Sequence, residues 1–151
     1  MLRIDKTSFA AMVLVVGLLG SGLAAAAVRI DGQVHAGGAA LGNSTITLWA
    51  ASASELRQLA QARSGRDGRF ALSAETAGVD SSMYLVAKGG ETTASKGSGD
   101  NPAIALLTVL GSQPPATVTI NELTTVGSVI THNQYIDGTA INGSAHTGVL
   151  L

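Results

Sequence analysis

The sequence predicts a mainly β fold: a seven-stranded antiparallel β-sandwich after an N-terminal signal helix, with one short helix near the C-terminus. Three observations lead to this prediction. Short segments that alternate apolar and polar residues recur along the chain. Turn-forming residues separate them, and glycine alone accounts for 19 of the 151 residues. Cysteine is absent, so a disulfide framework is excluded and the fold must depend on a packed core.

The first 27 residues have the pattern of an export signal. Arg3 and Lys6 form a short positive head, and Phe9–Leu19 is an uncharged apolar run of 11 residues. A membrane-spanning helix needs about 20 such residues. Small residues then lead up to Ala27, after which we expect cleavage. The alternative is an uncleaved anchor over residues 9–28. We therefore expect an exported mature chain that is periplasmic, on the cell surface or extracellular, and that has left the membrane.

The first half of the mature chain reads as two strands joined by a glycine-rich connection. Residues 28–34 alternate apolar and polar side chains, as a strand with one solvent-facing side should. The connection over 35–44 contains Gly-Gly and Leu-Gly-Asn. Residues 45–50 form the next strand, with Ile46 and Leu48 on the face that turns towards the core.

A hairpin follows over residues 58–72. The Asp67–Gly68 pair favours a tight turn because glycine tolerates a positive φ angle. Phe70 begins an alternating strand directly after it. Residues 51–63 fit a helix or a strand equally well by spacing, but a hairpin needs a strand before its turn, so we assign 58–64 to that strand. Phe70 is expected to fill the core.

Three further strands are expected downstream. Met83–Lys88 is a continuous apolar run that fits a strand buried on both faces. Residues 89–101 are polar and glycine-rich, which predicts a mobile surface loop. Residues 103–110 and 117–120 then have strand length and composition.

The C-terminal part is predicted to form a helix from Leu123 to Tyr135. Leu123, Val126 and Ile130 have helical spacing, although β-branched residues lower the helix propensity here. Leu123 and Val129–Ile130 are expected to cover the open end of the sandwich. The glycine- and serine-rich residues 137–151 are expected not to pack well.

The order of these segments resembles the carboxypeptidase regulatory-like domain, a transthyretin-like β-sandwich of exported bacterial proteins. The resemblance covers about residues 28–121, and its sharpest part is the turn from Gly65 to Phe70. It implies a transthyretin- or Ig-like topology and a structural or accessory module without catalysis. The segment Thr119–Ser128 is similar to one that follows such domains in longer bacterial surface proteins. The chain is thus predicted to comprise a signal (1–27), the sandwich (28–121), and a helix and flexible tail (122–151), and to be a natural short form, a fragment or a truncated product.

Composition and motifs argue against several classes of function. Only 13% of residues are charged and the net charge is −1, so no electrostatic footprint for nucleic acid is present. The three histidines, His35, His132 and His146, lie far apart in sequence, which does not suit a metal site. Loop acids such as Asp100 lack the spacing of a calcium loop. We expect no metal, no cofactor and no enzyme, and a hydrolase using His35 on the transthyretin-like fold is the least favoured alternative.

The candidate binding residues are Trp49, Thr45 and Thr47. Strand alternation places all three on the face opposite to the core. An exposed tryptophan on a sheet can stack on a sugar ring or anchor a protein partner. The alternative is that residues 122–136 fold back and bury this face. The main functional hypothesis is therefore an exported non-catalytic module with a structural or accessory role. The second is a module that binds an envelope glycan or a surface protein through Trp49.

Overall fold

The computed structural model describes residues 27–95, 97 and 99–142. The predicted signal segment therefore lies outside the described residues except for Ala27, which begins the first strand, and His146 also lies outside them. Within the described ranges the chain forms eleven strands, one α-helix and two short 3-10 turns. No helix in this part is long and apolar enough to cross a membrane.

Two sheets make up most of the fold. The first contains β1 (Ala27–Ala36), β2 (Ala39–Gly42), β5 (Arg69–Glu75), β7 (Glu91–Thr92) and β9 (Thr117–Ile120). The second contains β3 (Thr45–Ala51), β4 (Leu56–Arg63), β6 (Ser82–Lys88) and β8 (Ala105–Gly111), in the order β4-β3-β6-β8. Helix α1 (Glu122–His132) and a hairpin of β10 (Ile136–Asp137) and β11 (Ala140–Ile141) follow.

The mainly β, largely antiparallel prediction is confirmed, but the strand count and one pairing differ. Eleven strands are present among the described residues because short pieces such as β2, β7, β10 and β11 add to the longer strands. β9 runs parallel to β1, with Gly32 opposite Val118. The chain leaves β8 in the second sheet, passes Pro114 and Pro115, and joins the first sheet in the direction of β1.

Side chains from both sheets form the main core. Ile30 and Val34 from the first sheet and Ile46, Leu48 and Leu85 from the second are fully buried there. The inward orientation predicted for Ile46 and Leu48 is therefore confirmed. β6 is buried on both faces from Met83 to Ala87, which confirms the interpretation of its continuous apolar run.

Phe70 enters this core opposite a glycine. The ring is 6% exposed, as the sequence predicts. Gly32 is the cross-strand partner of Phe70. A Cβ atom on Gly32 would lie 2.5 Å from Cζ of Phe70 and 2.6 Å from the carbonyl oxygen of Val118. The ring therefore occupies the space that any side chain at residue 32 would need.

The predicted turn between β4 and β5 is present, but the predicted hairpin is wrong. β4 pairs with β3 in the second sheet and β5 pairs with β1 in the first, so the turn carries the chain from one sheet to the other. β4 starts two residues earlier than expected. Gly68 has a φ of 75°, and its N–H donates to the carbonyl of Gly65 at 2.9 Å. A Cβ at Gly68 would lie 2.5 Å from the carbonyl oxygen of Val34, so glycine is required there. Asp67 accepts a hydrogen bond from the backbone N–H of Arg69 at 3.1 Å and completes the turn.

Part of the predicted loop 89–101 is regular structure. β7 pairs with β2, and a 3-10 turn follows over Thr93–Ser95. Asp100 accepts a hydrogen bond from the N–H of Gly90, and Glu91 accepts one from the N–H of Gly97. These carboxylates hold the loop to its own backbone, a role that the sequence pattern does not reveal.

The predicted helix is confirmed over most of its length. α1 ends at His132, and the last predicted residues, 133–135, form a 3-10 turn. Asn121 caps the start: its side chain accepts from the N–H of Thr124 at 2.9 Å, and the Thr124 hydroxyl accepts from the N–H of Asn121 at 3.0 Å. This reciprocal pair is a capping box, which explains why the helix begins here despite its β-branched residues.

The predicted orientation of the helix is wrong. Leu123 is 80% exposed and Ile130 69% exposed, and Val129 is exposed as well, so these residues do not cover the sandwich. The hydroxyl-bearing side of α1 faces β8 instead. The reason is that β8 is an edge strand whose N–H groups need acceptors, and the hydroxyls of Thr125 and Ser128 supply them.

The prediction of an unpacked tail is also wrong for residues 137–141. The chain turns at Gly138, whose φ is 59°, and pairs Ile136 with Ile141. Ile141 is buried against the second sheet. Asp137 pairs with Ala140, so Gly138 and Thr139 form a two-residue hairpin loop.

Candidate functional site

The outer face of the second sheet holds the candidate binding residues. Strand β3 presents Thr45, Thr47 and Trp49 on the side opposite to Ile46 and Leu48, as strand alternation requires. The neighbouring strand β6 runs antiparallel to β3. Its register places Lys88 opposite Thr45, Val86 opposite Thr47, and Tyr84 opposite Trp49. Two aromatic side chains therefore lie side by side on this face.

The β10–β11 hairpin packs onto this face. Ile141 is buried with Tyr84, Val86 and Leu107 in a second apolar cluster, which is separate from the core between the sheets. Trp49 is half-buried at the margin of that cluster. The outer face of the second sheet is therefore partly roofed by a hairpin whose Ile141 lies 57 residues after Tyr84 in the sequence.

Tyr84 fixes the roof. Its hydroxyl accepts a hydrogen bond from the backbone N–H of Ile141 at 3.2 Å. Burial raises the pKa of Tyr84 above its ordinary value, and the weaker opposing effect is the hydrogen bond from Ile141. The neutral phenol is thus favoured, and it joins the sheet to the hairpin. A further hydrogen bond from the N–H of Asn142 to the carbonyl of Tyr135 closes the hairpin at 2.8 Å.

A cleft of about 150 Å³ remains between the sheet and the hairpin. We call it the Trp49 cleft. Its lining includes Thr47, Trp49, Leu56, Tyr84, Lys88 and Thr139. The indole and phenol rings give it an apolar wall, while the lysine and the threonine of the hairpin turn add polar groups at its border. Its size admits a single ring rather than a large ligand, since drug-sized pockets are several times larger.

The three predicted site residues have different positions. Trp49 and Thr47 line the cleft, but Thr45 does not. Thr47 is buried, and its hydroxyl accepts a hydrogen bond from the side-chain amide of Gln61 at 3.2 Å. Thr45 lies farther along the strand, opposite Arg63 of β4. The sequence therefore finds the tryptophan and one of the two threonines of the cleft.

The alternative that residues 122–136 cover the Trp49 face is met only by the last two residues of that range, Tyr135 and Ile136. Helix α1 packs on β8 at the edge of the sheet, and the cover comes from the hairpin after the helix together with Tyr135. Tyr84 and Thr139 also line the cleft, although the sequence did not predict them as site residues. The signal that could have found the hairpin is the Asp137–Gly138 pair between two apolar residues.

The other candidate groups do not converge on a second site. The hydrogen bond from the N–H of Gly37 is the main cause that lowers the pKa of the Glu122 carboxyl, and the half-buried His35 nearby makes only a minor contribution. The ring of His132 contacts the Thr131 hydroxyl at 2.7 Å. Among the residues that the structure describes, no three histidine, cysteine or acidic side chains form a group suited to a metal ion.

Comparisons with known proteins leave the chain without an assigned family. No protein-family model matches it, and neither does any curated protein. A search of solved structures returns a 9R-lipoxygenase from Cyanothece PCC8801, with a TM-score of 0.35 and 12% sequence identity. The match covers 62% of this chain and 15% of the lipoxygenase. A likeness of this size carries no argument about fold or activity.

Proposed function

We propose that this protein is an exported accessory module that acts by binding, without catalysis of its own, and that its ligand enters the Trp49 cleft. The signal-like first 27 residues support export to the envelope or beyond. Two sheets around one core are consistent with the seven-stranded transthyretin- or Ig-like sandwich that the resemblance to carboxypeptidase regulatory-like domains implies. The short strands β2, β7, β10 and β11 are then additions to that frame.

The observation that carries the binding proposal is the half-buried Trp49 beside Tyr84 at a cleft with polar groups on its border. A tryptophan held in this way has already lost most of its rotational freedom, because it packs against the buried cluster that contains Tyr84. Binding therefore requires little further ordering of the side chain.

The chemistry of the cleft favours a saccharide ring. The apolar face of a sugar stacks on an indole, and its hydroxyls seek hydrogen bonds at the ring edge. Lys88 provides an ammonium donor, and Thr139 provides a hydroxyl that both donates and accepts. One aromatic wall and two polar groups suit a terminal sugar of an envelope glycan. We therefore expect weak binding of a single sugar unit rather than of a long oligosaccharide.

Calorimetric titration with soluble oligosaccharides and peptidoglycan fragments tests this proposal. Trp49→Ala should abolish binding. Thr139→Ala should weaken binding about tenfold, because the ligand loses one hydrogen bond to an uncharged group. Thr45→Ala is the matched control, because Thr45 lies on the same strand face but outside the cleft. Binding that survives Trp49→Ala, or that is lost equally in Thr45→Ala, would contradict the proposed site.

A further inference from the structure

Helix α1 presents a row of aliphatic side chains to solvent. Leu123, Val126, Val129 and Ile130 are all exposed. We call these four residues the outward stripe. Leu123, Val126 and Ile130 follow one another at intervals of three and four residues, so they form one continuous ridge. Apolar surface of this kind on a short helix is a usual mark of a contact surface.

Hydrogen bonds to the edge strand fix this orientation. The hydroxyl of Thr125 accepts from the N–H of Leu107 at 2.9 Å, and that of Ser128 accepts from the N–H of Val109 at 3.0 Å. If the helix rotated to bury its aliphatic residues, both N–H groups of β8 would lose their acceptors. The outward stripe is therefore held outside, and only another surface can cover it.

We propose that the occupant is a second copy of this chain, whose α1 packs antiparallel against the first about a two-fold axis. Gly127 supplies the first argument. It flanks the ridge in the middle of the helix, and a Cβ built on it meets no atom within 4 Å. In an antiparallel pair centred between residues 126 and 127, Val126 of each copy packs over Gly127 of the other. The same symmetry places Leu123 of one copy opposite Ile130 of the other.

The ends of the helix supply the second argument. Glu122 is in the first turn and His132 in the last turn. Antiparallel packing brings the first turn of one helix beside the last turn of the other, so the two helix dipoles attract each other. A face that is complementary to itself in shape, on helices whose dipoles attract each other, fits the symmetry of a two-fold dimer.

The size of the stripe sets the strength of the dimer. Its exposed apolar area is on the order of 400 Å² per copy, about half the 800 Å² that a standard stable interface buries on each partner. We therefore expect a concentration-dependent dimer that forms at high micromolar concentration rather than a permanent one.

Sedimentation velocity over a wide concentration range tests the proposal. The sample is protein purified from a host that expresses the full chain. The mass should rise towards that of two copies, and a Leu123→Gln/Ile130→Gln double variant should weaken association at least about tenfold. Gly127→Ala is the sharper variant. It should raise the thermal midpoint, because alanine favours the helix, and still weaken association because it fills the space that Val126 needs.

The absence of cysteine from the sequence allows a second measurement. Val126→Cys places a thiol near the proposed axis, and it should form a disulfide between copies under mild oxidation. Val79→Cys is the control, because Val79 is a valine outside the helix that is even more exposed than Val126 and so would react at least as fast by random collision. Cross-linking of the first variant and not of the second supports the proposal, whereas equal rates would overturn it.

Other occupants give different results. If the protein stays monomeric and Leu123→Gln lowers its thermal midpoint, a further segment of the same chain covers the stripe, and the proposal is wrong. If the protein stays monomeric and Leu123→Gln leaves the thermal midpoint unchanged, no second copy covers the stripe, and the proposal is also wrong. Ligand binding at the Trp49 cleft should be unaffected by Leu123→Gln in every case.

Discussion

The contact between Phe70 and Gly32 offers a quantitative test of how the two sheets pack. Phe70→Ala should lower the free energy of unfolding by about 3–5 kcal/mol, because the ring is almost fully buried in the main core and leaves a cavity. Gly32→Ala should lower it by about 1–3 kcal/mol through overpacking. The new methyl group would lie 2.5 Å from Cζ of Phe70, which is less than any relaxed carbon–carbon contact.

The double variant Gly32→Ala/Phe70→Leu separates the two sources of strain. Leucine removes the ring atoms that the new methyl would meet, but the carbonyl oxygen of Val118, at 2.6 Å from the same methyl, remains. The loss in free energy of unfolding of the double variant should therefore be smaller than the sum of the two single losses, by about 1 kcal/mol and no more. Urea unfolding followed by circular dichroism measures the wild type, Phe70→Ala, Gly32→Ala, Phe70→Leu and the double variant. A loss below about 1 kcal/mol for Phe70→Ala, or strictly additive effects, would refute this packing.

The other predictions concern the roof and the helix. Tyr84→Phe should cost about 1–2 kcal/mol in urea unfolding because the N–H of the roof loses its acceptor, and it should remove the loss of stability that the wild type shows as pH rises above 10. Because the pKa of Glu122 is lowered in the folded state, its carboxylate stabilises the fold at pH values above the ordinary pKa of 4.5. This contribution is lost as the pH falls through the folded-state pKa. Glu122→Gln should reduce the loss of stability at acidic pH. An unchanged loss would show that the contact with Gly37 contributes nothing. Thr125→Val should speed hydrogen exchange at the N–H of Leu107 by about tenfold, and unchanged exchange would show that the hydroxyl does not protect the edge.

The sequence predicts most of the sheets because their signals are local. The Asp67–Gly68 pair marks the turn between β4 and β5, and strand alternation alone determines which side of β3 faces the core. That β4 and β5 join different sheets instead of pairing as a hairpin depends on their partners β3 and β1, which the turn does not specify. The continuous apolar run of β6 likewise indicates burial on both faces before any partner strand is known. Each of these inferences needs only neighbouring residues, so each agrees with the structure.

The orientation of α1 was not predictable from its own residues. Apolar spacing normally marks the buried side of a helix, and Leu123 and Ile130 follow that spacing. The deciding factor lies elsewhere: β8 ends the second sheet, and its unpaired N–H groups select the hydroxyl side of the helix. Which strand lies at the edge of a sheet depends on the whole topology, and the residues of the helix do not indicate it.

The candidate site was predictable only in part for a similar reason. Alternation along β3 places Trp49 on the outer face, and the structure agrees. The cleft also needs Tyr84, which the apolar run of β6 presents as one more core residue, and a roof from residues 136–141. The Asp137–Gly138 pair signals that hairpin, but nothing in its sequence indicates which face it covers.

The most direct test of the binding account is the fluorescence of Trp49, which is the only tryptophan in the sequence. Any ring that stacks in the cleft must change the surroundings of this indole. Titration with soluble envelope oligosaccharides should give a saturable change in its intensity or emission maximum, with the same midpoint as the calorimetric titration. Saturable heat of binding with an unchanged tryptophan spectrum would place the ligand elsewhere and contradict the account.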